Sequence, residues 1–157
     1  MSTTRWLDER EQQAWRSFQV MQARLNALLA RDLSAHSDLS YQDYVVLVAL
    51  TAQPDGRLRV SRLGHELGWE KSRISHQVTR MVERGLVVKW KCGEDHRGAL
   101  VEVSDLGRAQ IEAAAPSHVE AGRRLFVDRL TPAQLGGLAA VAGTVLAAVA
   151  GEETSEL

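Results

Sequence analysis

The chain has 157 residues, of which 45% are hydrophobic and 25% charged, as in an ordinary globular domain. Its single cysteine, Cys92, excludes an intrachain disulfide framework, and the polar N-terminus lacks the apolar core of a signal peptide. The net charge is −1, but residues 57–97 carry ten Lys and Arg against five Asp and Glu, while the remainder carries nine against fifteen. We therefore expect one cytoplasmic domain, residues 1–157, whose positive charge is concentrated where an anionic partner would bind.

The first segment, residues 7–35, predicts a long helix. Its apolar residues recur at steps of three and four, without Pro or Gly, at Ala14, Phe18, Met21, Leu25 and Leu28. A helix of this length is hard to cover within so small a domain, so we expect part of its face to contact another subunit. Ser40 then has the character of an N-cap for a second, buried helix over residues 41–52.

Two short helical patterns follow, separated by a glycine. The first apolar stripe consists of Val60, Leu63 and Leu67. Gly68 follows at the point where that helix would end. The second stripe, within residues 71–84, consists of Ile74, Val78 and Met81. Beyond it, β-branched and aromatic residues predict a two-stranded hairpin formed by residues 86–91 and 100–103.

The C-terminal third predicts two more helices. Ser104 is placed to cap the first, over residues 105–124. Thr131 and Gln134 have the spacing of a capping box at the start of the second, which would run to about residue 150. Because polar residues and glycines interrupt residues 130–150, we expect a buried amphipathic helix there and not a membrane span.

The order of these elements is that of a winged helix-turn-helix: helix, glycine-containing turn, helix, hairpin. The fold class is therefore mainly α with a small β-wing, and its second short helix would lie in the major groove of duplex DNA. With the apolar stripe inward, the outward residues that we expect to contact bases are Ser72, Arg73, Ser75 and His76. Arg80 would contact the DNA backbone. In the hairpin loop, Arg97 would enter the minor groove, and Asp95 would orient Arg97 or pair with a neighbouring base.

At these residues the sequence resembles the MarR family of bacterial transcription regulators. The resemblance is most specific in residues 72–87, in Asp95-His96-Arg97-Gly98 of the wing, and in residues 103–108. It implies a symmetric homodimer held by residues 7–35 and 105–150, with a DNA-binding lobe over residues 40–104. It also implies a roughly palindromic operator, and a repressor released by a small aromatic or phenolic effector. The effector cavity would be lined by Trp15, Phe18 and Tyr44, although ordinary core and dimer contacts also explain these aromatics.

One position departs from the family pattern. Many members carry Arg or another cation where this chain has His76, which leaves the base preference at that position open.

Other function classes have less support in the sequence. The pair His65-Glu66 lacks the second histidine of a zinc-protease helix, since position 69 is Trp, and no catalytic set, metal site or cofactor motif stands out. Cys92 could serve as a redox switch, but a plain wing residue is the simpler interpretation. A winged helix used for protein interaction or for non-specific architectural DNA binding remains an alternative.

The other tryptophans, Trp6, Trp69 and Trp90, are expected to pack, with Trp69 covering the turn between the two short helices.

Overall fold

A computed structural model describes residues 4–91 and 98–155 of the chain, with side chains described as far as residue 152. The chain divides into two compact units, Met1–Val119 and Glu120–Leu157. Among the described residues, the first unit contains four helices, most of a fifth and a small sheet, and the second contains the end of the fifth helix, a short 3-10 turn and one long helix. The expected fold class, mainly α with a small β-wing, is confirmed.

The first two helices begin at side-chain caps. Helix α1 (Glu9–His36) starts at Asp8, whose carboxylate accepts from the Glu11 N–H while the Glu11 carboxylate accepts from the Asp8 N–H. Helix α2 (Tyr41–Thr51) starts at Ser40 with the same reciprocal pair, formed with Asp43. Such boxes satisfy N–H groups that a helix start leaves without partners. Helix α2 begins at the predicted cap, Ser40, whereas α1 begins at Glu9 and not at the predicted residue 7.

Helices α3 (Val60–Leu67) and α4 (Lys71–Glu83) form the helix-turn-helix. Gly68 ends α3 in the left-handed conformation, with φ of 63°. The Trp69 N–H then donates to the Gly64 carbonyl at 2.8 Å. A Cβ on Gly64 would lie 3.1 Å from the Trp69 carbonyl oxygen and 3.2 Å from the Ile74 side chain, so glycine permits the close approach of the two helices.

The wing is a three-stranded antiparallel sheet with the order β1-β3-β2. Strands β2 (Val87–Lys91) and β3 (Ala99–Val103) form the predicted hairpin, with Val88 opposite Glu102. The prediction of only two strands is wrong, because β1 (Arg57–Arg59) pairs with the other edge of β3. With three residues and two charges, β1 is too short and polar to be recognised from its sequence.

One hydrophobic core joins α1, α2, the helix-turn-helix, the sheet and the first half of helix α5 (Asp105–Leu125) within the first unit. Its fully buried large side chains include Leu33, Leu47, Leu50, Leu63, Ile74, Met81 and Val101. Helix α5 continues through Pro116. The Ser104 hydroxyl caps it by accepting from the Gly107 N–H at 3.0 Å. This core fixes α4 and the wing on the same scaffold.

In the second unit, helix α6 (Pro132–Ser155) starts at the predicted capping box, where Thr131 and Gln134 exchange hydrogen bonds. The expectation of a buried amphipathic helix is wrong for this chain: no α6 side chain up to residue 152 is buried, and only Leu135 and Leu138 are even half-buried. The apolar residues occur on all sides of the helix, so no single stripe faces a core. By length and composition, Pro132–Glu152 could also cross a membrane, with a mean hydropathy of 1.7, a property that core helices of soluble proteins share.

Candidate nucleic-acid interface

The inner face of α4 is fully embedded in the core. Ile74, Val78 and Met81 are at most 1% exposed, and the polar Gln77 beside them is only 3% exposed. Helix α4 contacts α2, α3 and β2 through this face. The helix therefore has little freedom to roll or shift, and the side chains on its other face are presented in a fixed direction.

The outer face carries the residues that the sequence assigns to DNA. Four of them are exposed, Ser72, Arg73, His76 and Arg80, and Ser75 is half-buried. The Thr79 hydroxyl donates to the Ser75 carbonyl at 2.9 Å within the helix, so it is engaged locally. The structure thus brings all five predicted α4 residues onto one solvent-facing surface, which we call the α4 surface.

The arginines near this surface fall into two groups. Away from it, Arg57, Arg62 and Arg84 each pair with a carboxylate, at 3.1, 3.0 and 2.6 Å. On it, Arg73 and Arg80 form no ion pair with any residue in the part of the chain that the structure describes. No carboxylate among the described residues neutralises these two charges, and a guanidinium in this state favours binding to an anion.

A buried polar network fixes Arg80 from behind. Its guanidinium donates to the Gln77 side-chain oxygen at 2.6 Å, and the Gln77 amide donates to the Asp43 carboxylate at 2.7 Å. The second Asp43 oxygen accepts from Arg84 at 2.6 Å and from the Ser40 N–H at 2.9 Å. The network therefore ties the start of α2 to the middle and end of α4.

Burial alone would raise the pKa of the Asp43 carboxyl. The hydrogen bonds from Arg84 and Ser40, with the charge of Arg84, outweigh that effect and hold the pKa below its ordinary value. Asp43 is therefore a carboxylate at neutral pH, and its oxygens accept from the Ser40 N–H, Gln77 and Arg84.

Arg73, in the first turn of α4, is held by a contact with Trp69. The Arg73 guanidinium carbon lies 4.3 Å from the centre of the Trp69 ring, within the range of a cation–π interaction. Trp69 is half-buried and packs against the core at the turn of the helix-turn-helix, as the sequence predicts.

The prediction that Trp6 and Trp90 pack against the protein is wrong. Trp6 is 83% exposed and Trp90 is 52% exposed. The Trp90 indole N–H donates to Glu102 at 2.9 Å across the wing. The predicted wing residues Asp95 and Arg97 lie outside the described residues, as do Cys92 and His96.

The three aromatic residues predicted to line an effector cavity lie in different surroundings. Trp15 and Phe18 are 58% and 44% exposed on α1, with ring centres 6.2 Å apart. Tyr44 is 8% exposed, and its ring centre lies 4.3 Å from that of His118. Neither Trp15 nor Phe18 lines the two cavities that border Tyr44.

These two cavities lie in the first unit. The larger, of about 350 Å³, is bordered by Tyr41, Tyr44, Val45, Val48, Ala49, Glu66, Leu67 and His118. The smaller, of about 280 Å³, also borders Tyr44 and is bounded by Arg108 and Glu112. Burial lowers the pKa of His118, against an opposing effect of Asp32, so the imidazole tends to be neutral. Its buried Nδ1 has no hydrogen-bond partner among the described residues.

No metal centre is found among residues 4–91 and 98–155, where no three His, Cys, Asp or Glu side chains come together.

Comparison with known proteins identifies the family. Residues 37–98 match the sequence profile of the MarR family. AbsC, a MarR family transcriptional regulator from Streptomyces coelicolor, is 35% identical to this chain with a TM-score of 0.86, over 94% of this chain and 99% of AbsC. The chain belongs to the MarR family. It is a transcription regulator with a winged-helix DNA-binding fold.

Two further structures resemble this MarR-family chain. Sco3205, a MarR family transcriptional regulator of the same organism solved in complex with DNA, is 34% identical with a TM-score of 0.86, over 93% of this chain and 91% of Sco3205. BpsR of Bordetella bronchiseptica shares the fold at 20% identity and a TM-score of 0.73, over 85% of this chain and 98% of BpsR. None of the curated proteins compared with the chain matches it.

Sequence reasoning missed the residues behind the α4 surface. Gln77 gave the clearest signal, because a polar residue one position from the apolar Ile74–Val78–Met81 stripe must find a buried partner. Nothing in the sequence pointed to Asp43 as that partner, since 34 residues separate the two. The position of His118 beside Tyr44 likewise depends on the packing of α5 against α2.

Proposed function

We propose that this protein binds a specific duplex DNA sequence as a homodimer and represses transcription from it in the cytoplasm. The observation that carries the proposal is the α4 surface, where Arg73 and Arg80 are not ion-paired with any described residue while the inner face of the same helix is locked in the core. Ser72, Arg73, Ser75 and His76 contact base edges in the major groove, and Arg80 contacts phosphate. From the wing, Arg97 is proposed to enter the adjacent minor groove, and Asp95 is proposed to orient Arg97 or pair with a neighbouring base.

The dimer is supported by the apolar surface of the terminal helices. In α6, Val141, Val145 and Leu146 are between 54% and 67% exposed, and α1 exposes Trp15 and Phe18. An apolar surface of this kind is unfavourable in water and marks an interaction site. A two-fold dimer places two copies of α4 on the same DNA, which predicts a palindromic operator with half-sites about one helical turn apart.

The test is selection of bound duplexes from a random-sequence pool at near-physiological salt, followed by sequencing. We expect an enriched palindrome with half-sites separated by about 10 base pairs. Enrichment of a single half-site would contradict the dimer. Enrichment of nothing would contradict specific recognition and favour the non-specific or protein-interaction alternatives.

We further propose that a small aromatic or phenolic acid relieves repression by binding beside Tyr44. The cavity of about 350 Å³ is large enough for one aromatic ring, and its polar groups include Tyr41, Tyr44 and the His118 nitrogen. DNA binding by BpsR is regulated by 6-hydroxynicotinic acid, an effector of this chemical class. Since α2 carries both Tyr44 and Asp43, a ligand that favours one position of α2 would also act on the support of α4.

The effector proposal is tested by titrating aromatic carboxylic acids, beginning with 6-hydroxynicotinic acid, into the complex with the selected operator. We expect at least one acid to release the DNA, and we expect Tyr44→Phe, which keeps the buried ring and removes only the hydroxyl, to weaken that release without changing DNA affinity in the absence of the acid. Trp15→Ala and Phe18→Ala then decide whether these α1 residues belong to the effector site. Retention of DNA at millimolar concentrations of every acid would contradict the proposal.

A further inference from the structure

Trp69 is a fixed part of the helix-turn-helix turn. Its N–H is bound to the Gly64 carbonyl at 2.8 Å, its own carbonyl lies against Gly64, and its ring packs on the core. The residue before it, Gly68, is in the left-handed conformation, so the chain direction into Trp69 is set by the end of α3. The backbone at Trp69 is therefore fixed relative to the start of α4, and packing against the core restricts the indole ring.

Arg73 lies one helical turn further along the chain, on the α4 surface. It is exposed, it has no ion pair among the described residues, and its guanidinium lies over the Trp69 ring at 4.3 Å. An unsupported arginine samples many rotamers, and fixing it on binding costs conformational entropy. Stacking on a rigid ring restricts those rotamers before DNA arrives.

Stacking of this kind leaves the hydrogen-bonding edge of the arginine available. The guanidinium is planar, its donors point outward in that plane, and the ring covers one of its faces. Bidentate contact with guanine uses the donors in the plane. A guanidinium held by its face can therefore still read a base with its edge.

We propose that Trp69 is a specificity-determining positioning residue that holds Arg73 in the orientation used for base reading. The inference rests on the proposed function of Arg73 as a base-contacting residue. Trp69 itself contacts no base, and it acts only through Arg73. Its effect should therefore appear on the selected operator, disappear when Arg73 is removed, and be absent on random DNA.

The experiment is a double-mutant cycle of Trp69→Leu and Arg73→Ala, with affinity measured on the selected operator and on random DNA. Removing a cation–π contact at an exposed site should lower operator affinity about two- to fivefold and leave affinity for random DNA unchanged. In the Arg73→Ala background, Trp69→Leu should have no further effect. In the Arg80→Ala background, which serves as the matched control, its full effect should persist.

A packing role is separated from a positioning role by two measurements. Thermal unfolding reports whether Trp69→Leu folds, and Trp69→Phe, which keeps an aromatic ring with a weaker cation–π attraction, should give a smaller decrease in operator affinity. With Trp6, Trp15 and Trp90 changed to Phe, Trp69 emission reports the stack directly. It should change when Arg73→Ala is added to the free protein.

Four outcomes would contradict the proposal. Trp69 emission that is unaffected by Arg73→Ala would show that the stack is absent in solution. Equal effects of Trp69→Leu with and without Arg73 would show that Trp69 acts by packing or by contacting DNA itself. Equal decreases on both DNAs from Arg73→Ala would overturn base reading by Arg73, whereas an operator-specific decrease without coupling to Trp69 would overturn the positioning role alone.

Discussion

Helices α4 and α6 both expose most of their surface to solvent, but with opposite chemistry. Helix α4 buries an apolar stripe and presents arginine, serine and histidine on its outer face. Helix α6 buries nothing among the side chains described and presents valine, leucine and alanine on every side. An exposed charged face is stable in water and ready for an anionic partner, whereas an exposed apolar helix is stable only when another surface covers it. This contrast favours DNA as the partner of α4 and a second subunit as the partner of α6.

The largest expected effect concerns the dimer. Val145 stands between Val141 and Val149 on one face of α6, and it is 54% exposed in the single chain. Val145→Asp should dissociate the dimer, because two buried valines are removed per symmetric interface, about 3–6 kcal/mol, and two carboxylates are introduced. Sedimentation should show a monomer, and its thermal unfolding should shift to lower temperature because the apolar face of α6 is no longer covered. Glu152→Gln on the same helix should remain dimeric, and a dimer that survives Val145→Asp would remove this face of α6 from the interface.

The second effect concerns the support of α4. Asp43→Asn removes the negative charge that accepts from Arg84 and Gln77, and it should lower the free energy of unfolding by about 2–4 kcal/mol. The loss is smaller than for a fully buried ion pair, because the Arg84 side chain is 44% exposed. Thermal unfolding measures it. Asp38→Asn is the control. The hydrogen bond described between Arg84 and Asp38 uses the Asp38 backbone carbonyl, so a change of the side chain should leave it intact.

The pH dependence has a definite sign. The folded chain holds the pKa of Asp43 below its ordinary value of 3.8, so the unfolded chain takes up the proton first. The contribution of Asp43 is complete above the unfolded pKa and disappears as pH falls through the folded pKa. Asp43→Asn should therefore flatten the acid side of the stability curve below about pH 5. An unchanged acid side would contradict the ionised network.

The third effect concerns base reading. Arg73→Ala should cost about 1–3 kcal/mol on the selected operator, the usual worth of a bidentate base contact, and should relax the preference at one position of each half-site. Competition binding with single-substituted operators measures both. A decrease that is the same on operator and on random DNA would identify Arg73 as a phosphate contact.

The smallest effect concerns the DNA backbone. Arg80→Ala should weaken operator and random DNA alike and reduce the slope of log affinity against log salt by about 0.9 for each phosphate that the arginine no longer neutralises. Gln77→Leu should produce a similar change in slope if the Gln77–Asp43 hydrogen bonds direct Arg80 toward phosphate. If the salt slope of Arg80→Ala equals that of the wild type, Arg80 does not contact the DNA backbone.

The helix-turn-helix was predictable because its signals are local. Apolar spacing, Gly68 and the caps at Ser40 and Thr131 act within a few residues, and each helix begins or ends at them. The outward direction of Arg73 follows from the same spacing. The buried network behind α4 and the third strand of the wing were not predictable, because they depend on contacts between distant segments: Asp43 with Gln77, and β1 with β3.

The prediction failed at α6 for a different physical reason. An apolar helix with interrupting polar residues is typical of a domain core, and a single sequence does not distinguish burial within one chain from burial between two chains. In the structure, Val145 is 54% exposed and Leu146 is 67% exposed.

The most direct test of sequence-specific binding through the α4 surface is the ratio of affinities for two duplexes at near-physiological salt. One duplex carries the selected palindrome, and the other carries the same bases in shuffled order. Specific recognition by α4 predicts a preference of about 1,000-fold or more for the palindrome, with one dimer bound per duplex. Equal affinities would contradict it and would leave the charged surface of α4 as a non-specific contact.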